Sequence, residues 1–186
     1  MNKPLITLAL GALCGTVIAS APVTSGLATG ERVVPFHPTH LVGPLAGTEN
    51  CFPCTFQNRP QVQVWVNGDS QTNIAAFAKT LSAAMDTKAD KEFKALIVFI
   101  VPESMKEKAS MKIKAAATTL KATNVGMAVL TPSHEAVGEY KINTSKDVKN
   151  TVFVYKNWKV AQKFVNLKAD AKGITALNAA IDSITK

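Results

Sequence analysis

Residues 93–101, FKALIVFIV, form an almost unbroken apolar run. Such a run is typical of a strand buried on both faces of a parallel sheet, because a strand with one exposed face carries polar residues at alternate positions. Residues 61–66 (QVQVWV) and 125–130 (VGMAVL) predict two more strands. The helix predicted between the strands at 61–66 and 93–101 has an apolar face, formed by Ile74, Phe77, Ala78, Leu81 and Met85. Strands that alternate with helices predict an α/β protein.

The helix before residues 125–130 is predicted to begin at a capping box formed by Ser104 and Glu107. Apolar residues at helical spacing would form its inner face: Met105, Ala109, Ile113, Ala116 and Leu120. Lysines would occupy its exposed side: Lys106, Lys108, Lys112, Lys114 and Lys121.

Lysine supplies nearly all of the formal net charge of +8, since the only arginines are Arg32 and Arg59. Phosphate and base-edge recognition favours the planar fork of arginine, so the composition argues against nucleic acid as a partner. The sequence contains neither a G-x-S-x-G motif nor a P-loop. It therefore does not indicate a serine hydrolase or a P-loop nucleotide-binding enzyme.

The last third of the chain predicts a β-hairpin followed by a helix. Residues 151–155 (TVFVY) and 159–165 (KVAQKFV) are two strand patterns on either side of KNW. Asp170 is the expected N-cap of the closing helix. The stretch of about 20 residues before the hairpin is predicted to be a loop. A hairpin added to parallel strands gives a mixed sheet.

The N-terminus has the pattern of a secretory leader. Lys3 precedes an apolar run at residues 5–18, and small residues follow at 19–21. The run is too short to span a bilayer, so no stable membrane span is expected after cleavage. We therefore predict that residues 1–19 are a signal peptide. The mature protein would be exported, to the periplasm or outside the cell.

Cleavage of the leader would remove Cys14 and leave two cysteines, Cys51 and Cys54. Two cysteines in an oxidising compartment most often form a disulfide.

Residues 20–49 differ from the rest of the chain. They are rich in Pro, Gly, Thr and Ser and have no helical period, so they predict a linker and an extended arm. Pro35 and Pro38 would confine any strand within residues 32–42 to the edge of a sheet. The folded domain is predicted to comprise residues 50–186.

This order of elements resembles the thioredoxin-like fold superfamily. Residues 150–184 resemble the closing unit of that fold, which is a strand, a turn, a second strand and a terminal amphipathic helix. Residues 42–47 (VGPLAG), leading to CFPC at 51–54, resemble exported bacterial thioredoxin-like proteins. The resemblance covers residues 61–186. It implies a three-layer sandwich, in which a central mixed sheet lies between helices on both faces.

Two positions depart from the family pattern. Thioredoxins place Cys-x-x-Cys after the first central strand, at the start of the next helix, where this chain has NGDSQT at residues 67–72. They also carry a cis-proline before the hairpin, at a position matched here by Asn150. Peroxiredoxin-like relatives need a cysteine near the same helix start. The Cys51–Cys54 motif is therefore displaced, and the mechanism of the family does not transfer to it.

The first hypothesis for Cys51 and Cys54 is that they are catalytic. They would exchange disulfides with protein thiols or an envelope redox partner, without a cofactor. A reactive thiolate is usually activated by a helix N-terminus or a cation. Pro60 follows so soon that no helix is expected between Cys54 and the strand, which leaves Arg59 and the histidines as activators. At most, a weak thiol–disulfide oxidoreductase is expected.

Two alternatives stay open. In the first, the pair is a structural disulfide that braces a non-enzymatic protein-interaction domain. Alternatively, His37, His40, Cys51 and Cys54 would form a Zn or Cu site, because imidazole and thiolate together suit a tetrahedral shell.

Overall fold

The computed structural model describes residues 23–186, so the predicted signal peptide and Cys14 lie outside the described residues. One mixed sheet forms its centre. In spatial order its strands are β1 (Thr39–Val42), β4 (Gly126–Leu130), β3 (Lys94–Ile100), β2 (Gln61–Val66), β5 (Asn150–Lys156) and β6 (Lys159–Val165). Strands β2, β3 and β4 are parallel, whereas β1, β5 and β6 each pair antiparallel with their neighbours. The predicted mixed sheet is confirmed.

Three helices cover one face of the sheet: α2 (Gln71–Thr87), α3 (Lys106–Thr119) and α5 (Ala171–Ile184). The crossovers from β2 to β3 and from β3 to β4 step in the same direction, and right-handed crossovers then place α2 and α3 on the same face. Ser70 caps α2 and Asp170 caps α5 through side-chain oxygens that accept N–H groups of the first turn. The cap at Asp170 confirms the prediction.

The opposite face is covered by α1 (Phe52–Phe56), α4 (Glu135–Glu139) and residues 23–36. The sequence interpretation missed α1 and α4, since both have five residues and lie in stretches predicted as loops. Helices on both faces nevertheless confirm the predicted three-layer architecture.

The polar residues of β2 are also buried on this second face. Gln63 Nε2 donates to Tyr155 Oη (2.7 Å), and Tyr155 Oη donates to Gln61 Oε1 (2.7 Å). Trp65 Nε1 donates to Gln63 Oε1 (3.0 Å). Alternate residues of QVQVWV thus point to the two faces of the sheet, and both faces are buried. The glutamines can be buried because their polar side-chain atoms are hydrogen-bonded.

The start of α3 differs from the prediction. Residues Glu103–Met105 form a 3₁₀ turn, α3 begins at Lys106, and no side chain caps it. The capping box of Ser104 and Glu107 is therefore wrong. Because the tighter turn changes the angular position of Met105, that side chain is 46% exposed rather than part of the inner face. Ile113 and Ala117 are the buried residues of α3.

The N-terminal segment packs on the sheet from Ser25 onward. Ser25 Oγ and Thr151 Oγ1 share a buried hydrogen bond of 2.6 Å. Gly26 has a φ of +82°, and a Cβ there would lie 2.6 Å from side-chain atoms of both Phe153 and Thr151. Only glycine fits this position, because it tolerates both the backbone angle and the contact.

Both outer strands of the sheet have further backbone partners. Next to β6, Gly30 N–H donates to the Val160 carbonyl (2.8 Å) and Val160 N–H donates to the Glu31 carbonyl (3.0 Å). Next to β1, His40 N–H donates to the Thr48 carbonyl (2.9 Å) and Gly47 N–H donates to the His40 carbonyl (3.0 Å). Strand β1 is the outermost strand on its side of the sheet, which agrees with the edge position expected for any strand within residues 32–42.

Candidate functional site

Cys51 and Cys54 form a disulfide, with their Cα atoms 5.2 Å apart. Contrary to the sequence interpretation, a helix does fit before Pro60. Cys51 is the N-cap of α1, and Phe52 and Pro53 form the start of its first turn. Proline is tolerated there because the N–H it lacks would have no partner inside the helix. Cys54 therefore lies within a single helical turn.

The two cysteines differ in their exposure. Cys51 is only 6% exposed, whereas Cys54 is exposed. The backbone N–H of Cys54 donates to Cys51 Sγ (3.1 Å). Thr55 donates twice to the Cys51 carbonyl, through its N–H (3.0 Å) and its Oγ1 (2.9 Å). These bonds fix Cys51 in place and leave Cys54 as the accessible member of the pair.

The two histidines of the predicted metal set bind backbone carbonyls. His37 Nδ1 donates to the Glu49 carbonyl (2.9 Å), and His40 Nε2 donates to the Asn50 carbonyl (2.9 Å). A carbonyl oxygen only accepts, so these ring nitrogens carry the hydrogen. Together the histidines secure the two residues that precede Cys51.

His40 itself is buried, with 2% of its surface exposed, and its Nδ1 atom has no hydrogen-bond partner. Burial lowers the pKa of His40 below its ordinary value, although the bond to the Asn50 carbonyl opposes this shift. Its ring stacks on Phe52, with centroids 6.3 Å apart. His40 is therefore a neutral group packed against the helix that carries the disulfide.

The structure does not bring the four predicted metal ligands together as a set. Within residues 23–186, no group of three or more His, Cys, Asp or Glu side chains is arranged to hold a metal ion. Each sulfur of Cys51 and Cys54 is bonded to the other. A Zn or Cu site at His37, His40, Cys51 and Cys54 would need a reduced pair and rearranged histidines, and it stays a prediction.

Arg59, the predicted cationic activator, is engaged elsewhere. Its Nη2 atom forms an ion pair with Glu92 Oε1 (3.0 Å), which lowers the pKa of that carboxyl group. A surface recess of about 430 Å³ adjoins this pair, and neither cysteine lines it. The disulfide is therefore not part of this recess, and its exposed residue is Cys54.

A hydrogen-bonded network occupies the place at which thioredoxins carry their cysteines. Asp69 Oδ2 accepts from Asn73 Nδ2 (2.7 Å) and from Asn150 Nδ2 (2.6 Å). Both amides also donate to the Leu167 carbonyl (3.0 Å each), and Asn150 Oδ1 accepts from Leu167 N–H (2.9 Å). Asn73 Oδ1 accepts from Ala169 N–H (2.6 Å). We call this set the Asp69–Asn150 network.

Asn150 stands where the family has its cis-proline, and none of the described peptide bonds is cis. Its side chain is 1% exposed. The Asp69–Asn150 network ties the start of α2 to β5 and to the segment after β6. The signal in the sequence was limited to single Asp and Asn residues far apart in the chain, which on their own resemble ordinary turn residues.

The disulfide and the Asp69–Asn150 network lie at opposite ends of the parallel strands. The Lys94 ammonium lies 5.6 Å from the centre of the Phe56 ring, and Lys94 is the first residue of β3. Phe52 likewise lies against Gly126, the first residue of β4. The network follows the last residue of β2. A strand of this length spans about 20 Å, so the two features are separated by roughly that distance.

No family model matches the chain, and no curated protein matches its sequence. Solved structures do resemble it. A putative thiol:disulfide interchange protein DsbE from Chlorobium tepidum has a TM-score of 0.63 and 14% identity, over 86% of this chain and 99% of that one. Peroxidoxin BcpB from Mycobacterium tuberculosis has a TM-score of 0.61 and 16% identity, over 87% and 99%.

An uncharacterized conserved protein from Geobacillus kaustophilus has a TM-score of 0.65 and 11% identity, over 90% of this chain and 88% of that one. At such identities the likeness concerns the fold alone. It confirms the predicted thioredoxin-like fold. Within residues 23–186, no helix is long and apolar enough to cross a membrane.

Proposed function

From a thioredoxin-like fold that carries a bonded Cys51–Cys54 pair, we propose that this chain is an exported thiol–disulfide oxidoreductase. Cys51 and Cys54 are its reactive residues, and protein thiols of the cell envelope, including those of a redox partner, are its substrates. The observation that carries the proposal is the disulfide with one exposed cysteine. An attacking thiolate needs access to a sulfur, and Cys54 offers it.

The pair is expected to react slowly. No cation contacts either sulfur among the hydrogen bonds and ion pairs of residues 23–186, since Arg59 pairs with Glu92 and both histidines bind carbonyls. The depressed thiol pKa of fast oxidoreductases usually needs such a neighbour. The single donor to Cys51 Sγ, the N–H of Cys54, is a smaller contribution. We therefore expect a weak activity that needs no cofactor.

The reduction potential of the pair tests this function. Purified protein is equilibrated in glutathione buffers and the free thiols are trapped by alkylation. Structural disulfides usually have potentials below about −300 mV, and we expect this pair to lie above that level. The double variant Cys51→Ser/Cys54→Ser is the matched control, since it reports any contribution of Cys14. A potential well below about −300 mV would contradict the proposal.

Export is tested separately. We expect the mature protein in the envelope or medium fraction, with an N-terminus at Ser20 if the leader is cleaved after Ala19. Thiol trapping in whole cells should find Cys51 and Cys54 oxidised, because disulfides persist in oxidising compartments. A reduced pair in the cytosolic fraction would contradict export.

The second candidate is a non-enzymatic interaction domain in which the disulfide is a brace. The Asp69–Asn150 network favours it, because satisfied polar groups fill the place where the family carries its reactive pair. The bracing role predicts a potential below about −300 mV together with a clear loss of melting temperature on reduction. The same titration therefore separates the two candidates.

A further inference from the structure

We propose that the two sulfurs have fixed and different roles, with Cys54 exchanging with the partner and Cys51 acting as the internal thiol. The assignment rests on the proposed function and adds the direction in which the pair reacts. It follows from the unequal burial of two residues that are only three positions apart.

Access decides which sulfur is attacked. In thiol–disulfide exchange the incoming thiolate must reach the sulfur that it bonds to. Cys51 is 6% exposed and is followed by the fully buried Phe52. Cys54 and its neighbour Thr55 are both exposed. A partner on the surface therefore meets Cys54 first.

The hydrogen bonds of α1 suit Cys51 to the role of leaving group. When the disulfide is broken by attack on Cys54, the negative charge collects on Cys51 Sγ. The backbone N–H of Cys54 already donates to that atom (3.1 Å), and hydrogen bonds to a charged acceptor are stronger than bonds to a neutral one. Thr55 and the bonds of His37 and His40 hold the backbone around Cys51 in place.

The reaction balances with a dithiol of the partner protein as reductant. A partner thiolate bonds to Cys54 Sγ, the Cys51–Cys54 bond breaks, and its electron pair stays on Cys51 Sγ. A second partner thiolate then attacks the partner sulfur of the mixed disulfide. The partner's own disulfide forms and Cys54 leaves as a thiolate. The partner is oxidised by two electrons and the Cys51–Cys54 pair is reduced by two, while the two protons of the partner thiols pass to the solvent or to the released thiolates.

Competitive alkylation of the reduced, unmodified chain tests the assignment without any variant. The full chain is reduced, freed of reductant and exposed briefly to limiting iodoacetamide. Peptide mass spectrometry then quantifies each cysteine, and Cys14 is resolved on a separate peptide. We expect Cys54 to be modified at least about tenfold faster than Cys51, since alkylation requires access to the sulfur and Cys51 is buried. In guanidinium chloride the two rates should become similar.

Single variants give a second readout. Cys51→Ser keeps Cys54, and Cys54→Ser keeps Cys51. With glutathione disulfide as the probe, Cys51→Ser should form the mixed disulfide about tenfold faster than Cys54→Ser, with both folds checked by circular dichroism. Equal rates, or faster reaction at Cys51, would overturn the assignment in either assay. The rate ratio does not depend on the reduction potential, so a failure of the proposed function is a separate result.

Discussion

The two ends of the parallel strands differ. At their amino end, the Cys51–Cys54 pair leaves one residue exposed. At their carboxyl end, every polar side-chain atom of Asp69, Asn73 and Asn150 is hydrogen-bonded. A thioredoxin-like fold ordinarily carries its reactive cysteines at the carboxyl end of the parallel strands. Here the hydrogen bonds of the Asp69–Asn150 network occupy the carboxyl end, and the only disulfide of the described residues lies at the amino end. Under the proposed function, the fold does not dictate where the reactive residues lie, because either end of the strands can serve stability or chemistry.

The largest effect on the free energy of unfolding is expected in the Asp69–Asn150 network, at the carboxyl end of the parallel strands. Asn150→Ala removes three hydrogen bonds and leaves the Leu167 N–H without its partner, so the free energy of unfolding should fall by about 3 kcal/mol. Urea denaturation measures the fall. The exposed Asn58→Ala is the control, expected within about 0.5 kcal/mol of the parent protein. A loss below about 1 kcal/mol for Asn150→Ala would show that the network contributes little.

Reduction of the disulfide comes next. A closed loop of four residues is worth about 2 kcal/mol in the chain-entropy description, so reduction should lower the free energy of unfolding by no more than that amount. Denaturation with and without reductant measures the loss, and Cys51→Ser/Cys54→Ser should be insensitive to reductant. A larger loss would favour the bracing role over the proposed exchange.

Acidification should reveal His40. Burial lowers its pKa below the ordinary value of 6.5, so below pH 6.5 the unfolded chain binds a proton that the native protein does not. The contribution of His40 is therefore complete above pH 6.5 and is lost as the pH falls below 6.5, by at most about 1.4 kcal/mol per pH unit. His40→Gln should remove this slope while His37→Gln keeps it. An unchanged slope in His40→Gln would contradict the burial of a neutral imidazole.

The smallest effect is expected at Arg59. Its ion pair with Glu92 is exposed, with 36% and 60% of the two side chains accessible, so Arg59→Gln should cost less than about 1 kcal/mol. Because Arg59 is engaged away from the sulfurs, the alkylation rate of Cys54 should change by less than about twofold. A tenfold fall in that rate would instead assign Arg59 to the activation of the thiol.

The regular elements were predictable because their patterns are long. The apolar run of β3, the alternation of β2 and the face of α2 each extend over several residues, and the cap Asp170 was identified from local chemistry. Short elements are too short to show such a pattern. Helix α1 has five residues, and its available signal was Pro53 in the first turn, which is a favoured position for proline.

Other features depend on contacts that no local pattern contains. Asp69 and Asn150 are 81 residues apart, so their bond follows only once β2 and β5 are paired. The unequal exposure of Cys51 and Cys54 depends in the same way on the packing of α1 over the sheet. The signal peptide at residues 1–19 and the metal alternative stay predictions.

The backbone partners of the two outer strands limit how other proteins can associate with this one. Gly30, Glu31 and Val33 bond to the hairpin beside β6, and the turn at Gly47 and Thr48 bonds to β1. The outer backbone groups of His40 and Val160 are therefore already paired, and strand addition at those positions is disfavoured. The same bonds resist edge-to-edge aggregation at those positions.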